Sequence, residues 1–339
     1  MSTILAHRAD GEKALEYRPW FCRRDAPTGM ICVVRNPSLE EGAVAVKSSL
    51  LARIQSGETL ISDGATGTFL QQQGLRPGEC PEALNVTAPQ VIGGMAAAYF
   101  AAGSDLVLTN SFGGNVFRLR RCGYGDRVEE FNRLAATLAR SATPPGRFVV
   151  GSIGPTGEFA EPLGDLSVEA MGEAFAEQAQ SLVAGGVDGL LVETMTALDE
   201  AVLAVRMARD QTNGPVLATM VFTRGRRGWA TTMGVTPERA VNALLDAGAD
   251  VVGANCGNGI VPMVELARLL RALTAAPLLI HANAGIPEYR EGSVVYPETP
   301  EVMAPLFLDM QRIGINILGG CCGTMPAHIQ ALHYALRGC

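Results

Sequence analysis

Lysine is the first scarcity: in a chain of 339 residues, none follows Lys47. Schiff-base catalysis needs an activated lysine, so aldolase or lyase chemistry of that kind is excluded beyond this position. Net charge is −7 and no segment carries a basic stripe, which argues against a nucleic-acid partner. No apolar run reaches the roughly 18 residues of a membrane helix, and no membrane partner is expected. The first thirty residues lack an apolar signal core and carry Asp10, Glu12, Glu16 and Asp25 among their basic residues. That is neither a signal nor a transit peptide, and the cytoplasm is the expected compartment. Aromatic residues make up 6% of the chain, with two tryptophans, which leaves few faces for enclosing a cation. No Gly-x-Gly-x-x-Gly follows the first apolar run, against a dinucleotide-binding open sheet. The eight cysteines are scattered through a long chain. Metal binding or catalysis suits any clustered subset better than a disulfide scaffold does.

What is present is repetition. Short apolar runs recur: "LISDG" (60–64), "DLVLTNSF" (105–112), "FVVGSIGPTG" (148–157), "GLLVETM" (189–195), "PVLATMVF" (215–222), "DVVGANCG" (250–257), "PLLIHANAG" (277–285) and "INILGGCCG" (315–323). Each has the length and composition of a strand buried on both faces, as in parallel sheets. Amphipathic stretches such as "SVEAMGEAFAEQAQSLVAGG" and "TPERAVNALLDAG" separate them, with Ser, Thr or Pro at the start and Gly at the end. The joints "AAGSDLVL", "AGGVDGLL" and "DAGADVVG" share one order: helix end, glycine, aspartate, strand. Eight βα units predict an α/β fold, a single (β/α)8 TIM barrel over residues 46–339; a doubly wound open sheet is the alternative. Residues 1–45 show turn signals without periodicity, an N-terminal extension of unknown role. A lid, a disordered arm and a start-site artefact all stay open for it. Lys47–Gln55 reads as a short helix before the first strand.

In such a barrel the C-terminal strand ends carry the chemistry. They hold Asp63, Thr109-Asn110, Thr156, Glu193-Thr194, Thr219, Asn255-Cys256, Asn283 and Cys321-Cys322. Cys256, Cys321 and Cys322 would converge at the mouth. Three thiolates suit a catalytic zinc with an open fourth position. That position would take a substrate thiol, lower its pKa and leave it nucleophilic. The bland alternative makes the three cysteines small core residues. Asp63 also reads as a cap for the next helix, and Glu193 as half of a structural ion pair. His281 reads as a packed, hydrogen-bonded residue or as a fourth ligand. The "GSIGPTG" and "NSFGGN" loops resemble phosphate cradles, but no lysine accompanies them.

Taken together, "DGATGT", "PEALN", "GSDLVLTNSFGGN", "GPTGE", "GVDGLLVET", "GANCG", "NAGIP" and "GGCCGTMPAH" resemble the homocysteine S-methyltransferase family. The nearest likeness is to the homocysteine-binding module of cobalamin-dependent methionine synthase and its stand-alone bacterial relatives. The resemblance implies that Cys256, Cys321 and Cys322 bind zinc. It implies that Asp63 and Glu193 hold the homocysteine amino group, aided by the backbone of Gly64, Ala65 and Thr66. Asn283 would contact the metal when substrate is absent. The implied reaction makes methionine by attack of zinc-bound homocysteine thiolate on a methyl donor.

The expected donor is a methyl-corrinoid on a separate cobalamin-binding protein, because the other modules of methionine synthase do not fit in 339 residues. A betaine or S-methylmethionine donor is the alternative. Betaine needs aromatic enclosure, for which Phe112, Tyr289, Tyr296 and Trp20 are the available rings. A non-catalytic zinc-binding scaffold subunit is the reading from a different class.

Overall fold

The computed structural model describes residues 50–290 and 293–338; the extension expected over 1–45 lies outside them. All eight apolar runs become strands: β1 (Leu60–Ile61), β2 (Leu106–Leu108), β3 (Phe148–Ile153), β4 (Gly189–Met195), β5 (Val216–Met220), β6 (Val251–Cys256), β7 (Leu278–Ala282) and β8 (Ile317–Gly320). They form one parallel sheet in the order β1-β8-β7-β6-β5-β4-β3-β2. The chain is thus a nearly closed (β/α)8 barrel, as the repeat predicts. Two exposed hairpins interrupt the plan, Thr223–Gly225 with Gly228–Ala230 after β5, and Glu288–Arg290 with Ser293–Val295 after β7.

The glycine-aspartate joints have a physical cause. Gly103, Gly186 and Gly248 take φ of 105°, 92° and 105°, the left-handed conformation that ends a helix most cheaply in glycine. Two residues later, a side chain accepts the N–H of the neighbouring strand. Asp105 takes Ile61 N–H at 2.9 Å, Asp188 takes Val149 N–H at 2.7 Å, and Asp250 takes Val216 N–H at 2.9 Å. Asn316 does the same to Leu278 N–H at 3.0 Å. Arginines neutralise the three carboxylates: Arg53, Arg147 and Arg337 at Asp105, Arg140 at Asp188, and Arg209 at Asp250. These contacts gather at the N-terminal ends of the strands, the face of a barrel that serves stability.

Between β1 and β2 there is no ladder among the described residues. Isolated bonds from backbone and side chains close this seam. Asp105 exchanges bonds with Ile61, its N–H reaching the Ile61 carbonyl at 2.6 Å. Higher up, Asp63 Oδ2 accepts Leu108 N–H at 2.7 Å.

Strand alternation sorts the interior into storeys. Leu60, Leu106, Phe148, Val150, Leu191, Leu217, Val251, Leu279 and Ile317 fill the lower barrel, closed from below by Leu50 and Ile54 of a helical turn at 50–55. Two residues further along, the same inward parity gives Ser62, Ser152, Glu193, Thr219 and His281. Val251 leads by two such steps, through Gly253, to Asn255. The core therefore turns polar where the strands end.

One glycine in this region is required by a close approach. A Cβ on Gly253 would lie 1.8 Å from the Leu279 carbonyl oxygen. Gly→Ala at a compatible site usually stabilises slightly. Here β6 and β7 must separate, and Gly253→Ala is expected to cost at least about 1–3 kcal/mol, as overpacking does. Thermal unfolding checks this; an unchanged Tm would mean the strands move apart freely.

Candidate active site

The three sequence-predicted sulfurs meet at the mouth. Cys256, Cys321 and Cys322 have Sγ atoms all within 4.8 Å of one another, and Cys256 Sγ lies 3.0 Å from Cys321 Sγ. All three are free thiols. The "GGCCGT" turn is fixed from both sides. Cys321 N–H donates to the Ala282 carbonyl at 2.8 Å, and Ala284 N–H to the Cys322 carbonyl at 2.9 Å. Gly320 N–H reaches the Asp63 carbonyl at 2.8 Å, and Gly323 N–H the Thr68 hydroxyl at 3.0 Å. Gly320 is small of necessity, since a Cβ would stand 2.0 Å from Thr324 Oγ1.

Asn255, fully buried, organises the cluster, a role the sequence did not disclose. Its Nδ2 lies 3.7 Å from Cys256 Sγ, 3.8 Å from Cys321 Sγ and 2.8 Å from Thr194 Oγ1. Its Oδ1 accepts Thr194 N–H at 2.9 Å and the Thr219 hydroxyl at 2.8 Å. One amide thus spans β4, β5, β6 and the turn after β8. Thr194 and Cys256 themselves take φ of 63° and 61°, left-handed backbone that non-glycine residues adopt at a cost. The β4–β5 register also shifts between Val192 and Met195, an irregularity of the kind that re-aims side chains beside active sites.

A cleft of about 270 Å³ opens beside the thiols, at the small end of ligand sites. Gly64, Ala65, Thr66, Glu193, Phe112 and His281 are in its lining, with all three cysteines. Asp63 lies buried at its edge, 2% exposed. It is not a helix cap: Ala65 occupies that position before the helix Thr66–Gln72. Asp63 Oδ2 is committed to Leu108, while Oδ1 has only the Ser62 hydroxyl at 3.3 Å. Burial, against the Leu108 bond and with help from the Glu193 charge, pushes its pKa up to about 7. Glu193 accepts the Ser152 hydroxyl and forms no ion pair among the described residues. Burial chiefly pushes it, too, up to about 7, with the Cys322 charge adding to the effect. Two buried carboxyls without a cation are suited to receive one.

Asn283 Nδ2 donates to the Gly257 carbonyl at 2.9 Å, and its buried Oδ1 has no partner. His281 is 1% exposed, and among the described residues its Nε2 has no hydrogen-bond partner: it is packed, as expected, but with that nitrogen unpaired. Burial pulls its pKa down to about 4, and the ring is neutral at pH 7. Glu82 of "PEALN" is a cleft residue the sequence did not reveal. It is 5% exposed and accepts Gly113 N–H at 2.6 Å, pinning two mouth loops together. Phe112 is the one Phe, Tyr or Trp ring lining the cleft among the described residues. Tyr296 packs its ring on Gly323, Tyr289 is 78% exposed, and Trp20 lies outside the described residues.

The residues present fit a soft cation. Hydrogen bonds from Cys256 and then Cys321 hold the Cys322 thiol far below the ordinary range, and contact with Cys256 and Cys322 pushes Cys321 far above it. Three thiolates this close repel one another, and a bound cation would stabilise all three together. The orphaned Asn283 oxygen is a further donor nearby.

A family model for homocysteine S-methyltransferase matches residues 60–336. The methionine synthases of Mycobacterium leprae and Mycobacterium tuberculosis are each 32% identical over 83% and 84% of the chain. The chain spans only about a quarter of their length, 24% and 25%. Bovine betaine–homocysteine S-methyltransferase 1 is 28% identical over 86% of this chain and 75% of its own. Among solved structures, the metallated form of the homocysteine methyltransferase MmuM from Escherichia coli superposes with a TM-score of 0.70 at 22% identity, covering 84% of this chain and 99% of that one; at that identity the likeness concerns the fold. The chain belongs to the homocysteine S-methyltransferase family, a family of methyltransferases.

Proposed function

We propose that this chain is a zinc-dependent homocysteine S-methyltransferase that forms methionine, with a methyl-corrinoid on a separate protein as its donor. The observation that carries the reading is the convergence of three thiols, from β6 and the turn after β8, beside a cleft that also contains Glu193. Cys256, Cys321 and Cys322 would hold the metal, with Asn283 as the further donor in the absence of substrate. Zinc, when bound, lowers a thiol's pKa and keeps the sulfur nucleophilic. Asp63 and Glu193 receive the substrate's ammonium, and Gly64, Ala65 and Thr66 line its backbone. Asn255 fixes the direction of the cysteine side chains. In the reaction the substrate sulfur bonds to the donor's methyl carbon as the carbon's bond to its carrier breaks.

Phe112 as the single lining ring supports a donor that needs no aromatic cage. The bovine relative keeps betaine as the second reading. No helix among the described residues is long and apolar enough to cross a membrane, and the free thiols Cys80, Cys122, Cys256, Cys321 and Cys322 favour a reducing compartment, the cytoplasm. The test is homocysteine methylation with methylcobalamin, glycine betaine, S-methylmethionine, S-adenosylmethionine and methyltetrahydrofolate in parallel. Methionine is expected from methylcobalamin. Turnover with betaine alone would move the chain to the second reading, and none with any donor would leave a scaffold role.

A further inference from the structure

His281 is a polar group in the cleft wall that the proposed function leaves unused. In register it stands beside Asn255 on one side and Gly319 on the other. Asn255 gives its amide to the sulfurs, so the thiol end of the cleft is already served. The other side leads to β1. A Cβ on Gly319 would lie 2.9 Å from His281 Cδ2, 2.9 Å from the Asp63 carbonyl oxygen and 2.7 Å from Ser62 Cβ. Glycine there makes room for the imidazole, whose Cδ2, bonded to Nε2, faces the same glycine as Ser62 Cβ and the Asp63 carbonyl oxygen. Among the described residues Nε2 is buried and has no hydrogen-bond partner, although His281 lines the cleft. A buried polar atom left so is destabilising, and a ligand group that satisfies it regains that stability.

A substrate ammonium carries three N–H donors. Two carboxylates are in place for it, but Asp63 has Oδ2 engaged by Leu108 and Glu193 has Oε1 engaged by Ser152. We propose that His281 Nε2 is the third acceptor for the α-ammonium of the substrate, so that Asp63, Glu193 and His281 together recognise an amino acid rather than a simple thiol. This rests on the reading that the amino end of homocysteine lies at Asp63 and Glu193.

Calorimetric titration of the zinc-loaded protein with homocysteine and with 4-mercaptobutyrate, which keeps the thiol and carboxylate but lacks the amine, separates the possibilities. His281→Leu is expected to weaken homocysteine at least about tenfold, the size of one hydrogen bond to a charged group. Binding of 4-mercaptobutyrate and zinc content should stay as in the wild type, and Tm should not fall. His281→Gln, which restores an acceptor, should recover part of the loss. Equal losses for both ligands, or none for homocysteine, would overturn the assignment. If the leucine variant does not fold, His281→Ala reads the same selectivity. A wild-type protein that binds the two ligands equally well would instead refute the amino-end reading itself, before any variant is made.

Discussion

Cys321→Ala is expected to lose its zinc and keep its barrel. Its sulfur sits among three within 4.8 Å of one another, and removing a direct ligand costs more than the roughly 10–100-fold lost with an outer-shell partner. The barrel itself is held elsewhere, by the apolar lower storey and by the Asp105, Asp188 and Asp250 clasps. Metal analysis after dialysis should therefore find the variant nearly zinc-free, with far-ultraviolet circular dichroism unchanged. Homocysteine should release a proton on binding wild-type protein near neutral pH, since a free thiol titrates near ~8.5 and the metal deprotonates it. Homoserine should release about one proton fewer, only what Asp63 and Glu193 give up on meeting the shared ammonium, and the variant should show no such difference between the two ligands. Zinc retained in full by Cys321→Ala would assign the cysteines to packing.

Glu193→Gln is expected to weaken homocysteine by one to two orders of magnitude, about the 1.5–3 kcal/mol of a charge-assisted hydrogen bond, while zinc content holds. The pH dependence has a definite sign. In the free protein Asp63 and Glu193 stand at about 7, above their ordinary values of 3.8 and 4.5. Below that pH they are protonated and the substrate ammonium loses its counter-charge, so affinity falls as pH drops through 7. Stability of the free protein runs the other way. Their raised folded pKa means that the contribution is fully present below about 4 and lost as pH rises through about 7, on the order of a few kcal/mol per group. Glutamine imitates the protonated carboxyl. The variant's Tm should gain on the wild type at pH 8 relative to pH 5, and a constant difference across that range would mean that Glu193 is ionised throughout. Improved stability with poorer binding is the usual exchange at a functional site.

Much of this was legible in the chain beforehand, because its signals are local. Eight apolar runs became eight parallel strands, and the three cysteines, Asp63 and Glu193 lie where strand-end logic sends them. The glycine-aspartate joints were visible as a pattern, though their function as strand clasps was not. What escaped were contacts between distant residues. Asn255 reads as one more strand-end amide until Thr194, Thr219 and Cys321 surround it. The left-handed backbone of Thr194 and Cys256 has no sequence signature, since neither is glycine or asparagine. The hairpins after β5 and β7 are three-residue strands in exposed loops, too short for alternation to register. The unpaired Nε2 of His281 is likewise invisible in sequence.

The seam between β1 and β2 bears on how this scaffold can diverge. Asp63 fastens it with one oxygen, and in the proposed role it receives the substrate amine with the other. Recognition of an amino acid and closure of the barrel are then inherited as a single trait. A lineage that altered the first would loosen the second, and selection would resist the change on both counts. The exposed hairpins after β5 and β7 carry no such double duty. Insertions and replacements there leave the ladder untouched.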